Sequence, residues 1–127
     1  MKRGFTLLEL IVVIIIIGIL ATLGFTQYTK MIEKGRTAEA KTILGQIRAA
    51  QEGYKQENGV YTATIGNLAI EAPIVCATTH YFNYSTTAVL GTAARCTAGG
   101  KTPNATIAYT ITLDYATGGW GGTAGYY

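Results

Sequence analysis

The feature that most constrains this chain is an apolar run near its start that carries a single carboxylate. Phe5 to Gly24 is about 20 residues, or ~30 Å as a helix, enough to cross the hydrocarbon core of a bilayer. Glu9 lies inside this run. A carboxylate among apolar neighbours is costly unless paired, so its default reading is functional. Lys2 and Arg3 precede the run and would hold a short N-terminus on the cytoplasmic side, with the rest of the chain across the membrane.

Three readings of this segment compete. A cleaved secretory signal needs a small-residue site after the apolar stretch, and Ala21-Thr22-Leu23-Gly24 is a poor version of one. An ordinary membrane anchor fits the length and leaves Glu9 unexplained. Cleavage between Gly4 and Phe5 is the third. It frees an amine at Phe5, one helical turn from Glu9 in a helix that starts there. A neighbouring subunit, shifted along the axis, could bring its own amine to this carboxylate, neutralising both charges inside an assembly.

Gly4-Phe5-Thr6-Leu7-Leu8-Glu9 and the apolar stretch behind it resemble the prepilin signal of type IV pilins and type II secretion pseudopilins. Positions 3 to about 30 carry the match. The resemblance implies that a prepilin peptidase cuts after Gly4 on the cytoplasmic face and methylates Phe5. It also implies that Glu9, with the Phe5 amine, governs subunit docking. The apolar segment would then stay on the mature protein, first as membrane anchor and later as filament core. Many members carry a proline where this chain has Thr26; here Gly18 and Gly24 stand nearby instead. Glycine weakens a helix by about 1 kcal/mol relative to alanine, so any loosening would be less enforced.

From Phe25 to about Asn58 there is no proline. Ala40, Ile43, Leu44, Ile47, Ala50 and Tyr54 follow steps of three and four, one face of a helix. Arg48 with Glu52, and Glu52 with Lys55, read as pairs on its solvated side. Asn58-Gly59 is the expected stop. Anchor and amphipathic stretch can form one helix of about 54 residues; the alternative is two helices hinged near Gly24 or Gly35. Gly59-Val60-Tyr61 and Ile65-Gly66-Asn67-Leu68 resemble, more weakly, the segment after the helix in many pilins and pseudopilins.

The second half is neutral and rich in Gly and Thr. Ile107, Tyr109, Ile111, Leu113 and Tyr115 alternate with Ala108, Thr110, Thr112 and Asp114, the clearest strand pattern in the chain, with its apolar face expected on the helix. His80 to Ser85 reads as a second strand, with Phe82 and Tyr84 on one face, and Ala88 to Leu90 begins a third. Ala98 to Asn104 reads as a loop. Gly118-Gly119-Trp120-Gly121-Gly122 reads as flexible, with a mobile tail to Tyr127. The fold class expected is α+β: a long N-terminal helix packed on a small antiparallel C-terminal sheet. The divisions are a leader at 1–4, a transmembrane and filament-core helix at 5–24, its amphipathic half at 25–58, and a sheet region at 59–127.

The chain has two cysteines, Cys76 and Cys96. Beside an export or membrane signal they read as a disulfide; two free thiols are the alternative. The net charge of +3 falls to +1 once Lys2 and Arg3 are removed, which is no footprint for a specific nucleic acid. No catalytic constellation is evident: His80 is the only histidine and Asp114 the only aspartate. The two cysteines lack partners at zinc spacing, and no cofactor is expected. Asn83-Tyr84-Ser85 and Asn104-Ala105-Thr106 match a glycosylation pattern that is common by chance.

The leading expectation is a non-enzymatic subunit of a type IV pilus-like filament. The alternative is a pseudopilin of a type II secretion system. The acid-rich calcium loop of many major pseudopilins has no counterpart here, which favours the pilin. A DNA- or surface-binding minor pilin would need a basic or aromatic patch, and Arg95 and Lys101 alone make a weak one. Expected partners are other pilin subunits, the prepilin peptidase, an inner-membrane assembly platform and membrane lipid. The expected location is the inner membrane as a single-pass protein, then an extracellular or periplasmic filament.

Overall fold

The structure is a computed structural model that describes residues 3–127; Met1 and Lys2, and with them part of the expected leader, lie outside the described residues. Helix α1 spans Leu7–Asn58 and is assigned without a break through Gly18, Gly24 and Gly35. A 3-10 turn at Ile65–Asn67 follows, then strands β1 (Phe82–Thr86), β2 (Leu90–Arg95), β3 (Thr110–Asp114) and β4 (Trp120–Gly122). The chain divides into two compact units, one ending at Glu33 and the other running Lys34–Tyr127.

In the first unit, α1 is apolar on all sides and exposed throughout the run. Its Thr hydroxyls turn back onto the helix: Thr22 donates to Gly18 O (2.9 Å), Thr26 to Leu23 O (3.1 Å) and Thr29 to Thr26 O (3.0 Å). Each such bond satisfies a hydroxyl within the helix itself. α1 contains a stretch long and apolar enough to cross a membrane.

In the second unit, α1 buries Thr37, Ala40, Leu44, Ile47 and Gln51, a seam at steps of three and four. Ile43, Ala50 and Tyr54, expected on the same face, flank it half-buried. The helix stops where expected. Gly59 takes φ 81°, the left-handed conformation that ends helices, and its N–H reaches back to Lys55 O at 2.7 Å.

The sheet is four-stranded and antiparallel in the order β1-β2-β3-β4. Registers pair Tyr84 with Ala93, Ala93 with Ile111 and Ile111 with Gly122, so one row of residues crosses the sheet. Phe82, Tyr84, Ala93, Tyr109, Ile111, Leu113 and Tyr115 form its buried face and share one core with Ala40, Leu44 and Ile47. At roughly 25 cal/mol per Å2 of apolar surface removed from water, this contact is the main stabilising term of the unit.

Several expectations need correction. The strand expected from Ile107 begins only at Thr110, and Ile107 is exposed. Its amide is taken by Asn104 Oδ1 (3.0 Å), which holds residues 104–107 in a loop. The strand expected at His80 begins at Phe82. Ala88 and Val89 belong to the β1–β2 turn, closed by Thr87 N–H to Leu90 O (2.9 Å), and β2 starts after them. The segment around Trp120 is not a flexible tail. It pairs with β3 as β4, and Tyr126 stacks on Tyr109 with centroids 4.1 Å apart. Arg48 and Glu52 do not form a solvated pair: Arg48 Nε donates to Tyr115 O (3.0 Å) and Glu52 accepts from Tyr61 OH (2.7 Å).

Candidate assembly site

Residues 3–6 are non-helical and exposed, and Phe5 has 92% of its surface accessible. The helix starts at Leu7 because Thr6 and Glu9 cap it reciprocally. Glu9 N–H donates to Thr6 Oγ1 (3.2 Å), and Thr6 N–H donates to Glu9 Oε2 (2.8 Å). The Thr6 hydroxyl also donates to Oε2 (3.1 Å). This is a capping box, which satisfies amides that a helix start leaves open. The acidic side chain also lies at the positive end of the helix dipole.

Two consequences follow for the junction. Gly4 and Phe5 lie outside the helix and are exposed. In the uncut chain Phe5 precedes the helix, which begins at Leu7. The carboxylate already has partners in its own chain, which the residue pattern Thr6-Leu7-Leu8-Glu9 could have announced. Beyond Glu9, the exposed Ile and Leu side chains offer the surface that lipid or other helices must cover.

The second unit carries the covalent staple. Cys76 and Cys96 are disulfide-bonded with Cα atoms 5.8 Å apart. Cys96 N–H donates to Tyr81 O (2.9 Å), so the bond ties the segment before β1 to the end of β2. Loop closure at this separation contributes roughly 3 kcal/mol in the chain-entropy model.

At the β3–β4 turn, Asp114 Oδ1 accepts from Thr117 N–H (2.8 Å) and the Thr117 hydroxyl (3.0 Å). These bonds, with Arg48 nearby, hold its carboxyl below the usual carboxylate range. Gly118 takes φ 72°, and a Cβ there would meet the Arg48 guanidinium at 3.0 Å, so only glycine suits both the turn and the arginine. Burial, then the Glu39 carboxylate, push the Tyr84 phenol up. No group of three or more potential metal ligands occurs among the described residues.

Residues 1–25 match the family described as the prokaryotic N-terminal methylation motif. The chain carries a prepilin-type methylation signal. It is similar to filament and secretion proteins over about half of its length. It is 40% identical to the type IV major pilin protein PilA of Myxococcus xanthus over 61 residues, 48% of this chain and 28% of the relative. It is 34% identical to the fimbrial protein EcpC of Eikenella corrodens over 73 residues, 58% of this chain and 48% of the relative. It is 39% identical to the type II secretion system core protein G of Pseudomonas aeruginosa over 63 residues, 50% and 44% respectively. The chain spans less than half the length of each of these relatives. No solved structure matches it.

Proposed function

We propose that this chain is a non-enzymatic subunit of a type IV pilus-like filament. A prepilin peptidase cuts between Gly4 and Phe5 and methylates the new Phe5 amine. The segment 5–24 anchors the subunit once across the inner membrane, then enters a filament core outside the cytoplasm. Residues 25–58 and the sheet region 59–127 form the part presented beyond the membrane. In the filament, Glu9 exchanges its bonds to Thr6 for the Phe5 amine of a neighbouring subunit.

The observation that carries the reading is the exposed Gly4-Phe5 junction, set by the Thr6–Glu9 cap at the head of an uncovered apolar helix. Cleavage there would remove Lys2 and Arg3 and free an amine at Phe5, which the peptidase then methylates, at the head of a run whose only carboxylate is Glu9. Mass spectrometry of the purified filament or membrane protein tests it. The expected mature chain starts at N-methyl-Phe5; an intact Met1, or a start near Gly24, would sink the proposal.

A second reading, a type II secretion pseudopilin, is favoured by the likeness to core protein G. The two part on assembly partners. Co-purification with a pilus assembly platform supports the first, and co-purification with a secretion platform supports the second.

A further inference from the structure

Within the second unit, a groove of about 370 Å3 lies where α1 meets β3 and the β3–β4 turn, lined by Gly45 and Leu113 among others. Its size falls within the roughly 300–1,000 Å3 of small-molecule sites. Arg48 lines it with a guanidinium that is fixed twice. Nε donates to Tyr115 O at 3.0 Å. The group also lies against Gly118, where a Cβ would meet one terminal nitrogen at 3.0 Å, Cζ at 3.2 Å and the other nitrogen at 3.3 Å. Three nearly equal distances mean that the guanidinium turns its flat face to the glycine. Its two terminal nitrogens make no hydrogen bond or ion pair among the described residues. An arginine pinned in this way presents a fork of donors with little further ordering.

Glu52 and Trp120 line the same groove. Glu52 Oε1 accepts the Tyr61 hydroxyl at 2.7 Å, and its second oxygen has no hydrogen-bond partner among the described residues. The Trp120 ring is 41% exposed, with Lys41 Nζ 5.7 Å from its centroid. The charges balance: Arg48 and Lys41 stand against Glu52 and Asp114, whose carboxylate feels Arg48. The packing roles of Arg48 and Glu52 use only Nε and Oε1. A fixed donor fork, an acceptor and an indole ring at no net charge suit a neutral polyol better than an anion.

We propose that the Arg48–Glu52–Trp120 groove binds a neutral pyranose with equatorial hydroxyls. Such a ring carries axial C–H bonds on its faces, and these weakly positive hydrogens are drawn to the electron-rich face of an indole. Two adjacent equatorial hydroxyl oxygens accept from the two terminal nitrogens of Arg48, and a third hydroxyl donates to the second oxygen of Glu52.

Trp120 is the chain's only tryptophan, so indole emission reports this groove alone. The full chain in phosphatidylcholine bicelles is titrated with methyl β-D-glucopyranoside and, separately, with cellotetraose. Each should give a saturable emission change at about millimolar concentration, and glycerol should give none. Cellotetraose binding about tenfold tighter assigns the groove to a glycan chain, and equal binding assigns it to a free sugar; both support the site. A Cβ at Gly45 would meet nothing within 4 Å, so Gly45→Leu fills the groove without a clash. It should abolish binding and leave the denaturant midpoint unchanged. Glu52→Gln keeps an acceptor for Tyr61 and should weaken binding about fivefold, and Arg48→Lys, which loses the fork, about tenfold or more. No saturable change below about 100 mM with either sugar overturns the proposal. So does an equal change with glycerol, since the ring then senses only solvent. Undiminished binding in Gly45→Leu, or in both Glu52→Gln and Arg48→Lys, places the sugar elsewhere and overturns it as well.

Discussion

Gln51 pairs with the backbone of Thr62 as one strand pairs with another: its Nε2 donates to Thr62 O (2.7 Å) and its Oε1 accepts the Thr62 N–H (2.9 Å). The amide is fully buried in the α1 seam, and Nε2 also donates to Thr86 Oγ1 (2.9 Å). One side chain thus satisfies both polar groups of a loop residue and reaches β1. Gln51→Ala leaves those groups buried without partners and should cost about 2–4 kcal/mol. Gln51→Glu keeps the size and acceptors but loses the donor, and should also destabilise. Denaturant unfolding of the detergent-solubilised chain checks both; a change within error would show that water replaces the amide.

Replacing Glu9 should separate insertion from assembly. A carboxylate in a membrane helix is unfavourable by about 2.5–3.5 kcal/mol at the centre and by less near an end, so Glu9→Ala does not harm insertion. It removes the proposed partner of a neighbour's Phe5 amine, along with half of the capping box. Thr6→Val removes the cap's hydroxyl while leaving the carboxylate. If docking matters, Glu9→Ala abolishes surface filaments at normal membrane levels and Thr6→Val retains most of them. If capping alone matters, the two variants fail alike. Electron microscopy and membrane immunoblots supply the counts.

Gly4 should tolerate little. A bulky residue such as Phe at Gly4 is expected to block entry of the junction into the peptidase and leave the precursor in the membrane. The readout is the gel mobility of the membrane-bound chain after coexpression with a prepilin peptidase; normal processing would place the cut elsewhere.

Reducing the Cys76–Cys96 bond, or substituting both residues with Ser, should lower stability by about 3 kcal/mol in the entropy model. α1 contains neither cysteine, so its helical signal should persist while sheet-region amides exchange faster. Hydrogen exchange under reducing and non-reducing conditions reports the difference.

Two groups contribute to the pH dependence of stability in opposite limbs. Asp114 is held low by Thr117, so its contribution is present above the ordinary carboxyl value of about 4 and is lost as pH falls through the folded value. Asp114→Asn should flatten that acid limb of the stability curve. Tyr84 is held high, so its contribution is present below the ordinary phenol value of about 10 and is lost as pH rises toward its folded value. Tyr84→Phe should flatten the alkaline limb. Denaturant midpoints across pH measure both.

The helix was legible because Ala40, Leu44 and Ile47 repeat at its period, and β3 because Ile111, Leu113 and Tyr115 alternate. Gln51 escaped because a polar residue in an apolar seam looks like a break in the pattern. Gly91-Thr92-Ala93-Ala94 gives β2 too little contrast between faces to show a period of two. In β4, Trp120-Gly121-Gly122 has a single side chain beyond hydrogen, so only its pairing with β3 reveals a strand. Glu9 stands out in the sequence as a charge, while its place at the third position of the helix shows only through its bonds to Thr6. Arg48 and Trp120 line one groove through long-range packing, which no local pattern encodes.

The disulfide closes a loop that excludes α1. If the chain forms a filament as proposed and that filament is pulled along its length, load carried by the helix reaches the sheet mainly through the seam of Leu44, Ile47 and Gln51 and the clasp from Arg48 to Tyr115. None of these contacts is covalent. The tether from Asn58 to Cys76 would take tension only after the seam had sheared. The staple therefore protects the sheet from unravelling, while the strength of the subunit under pull is set by the helix's grip on it.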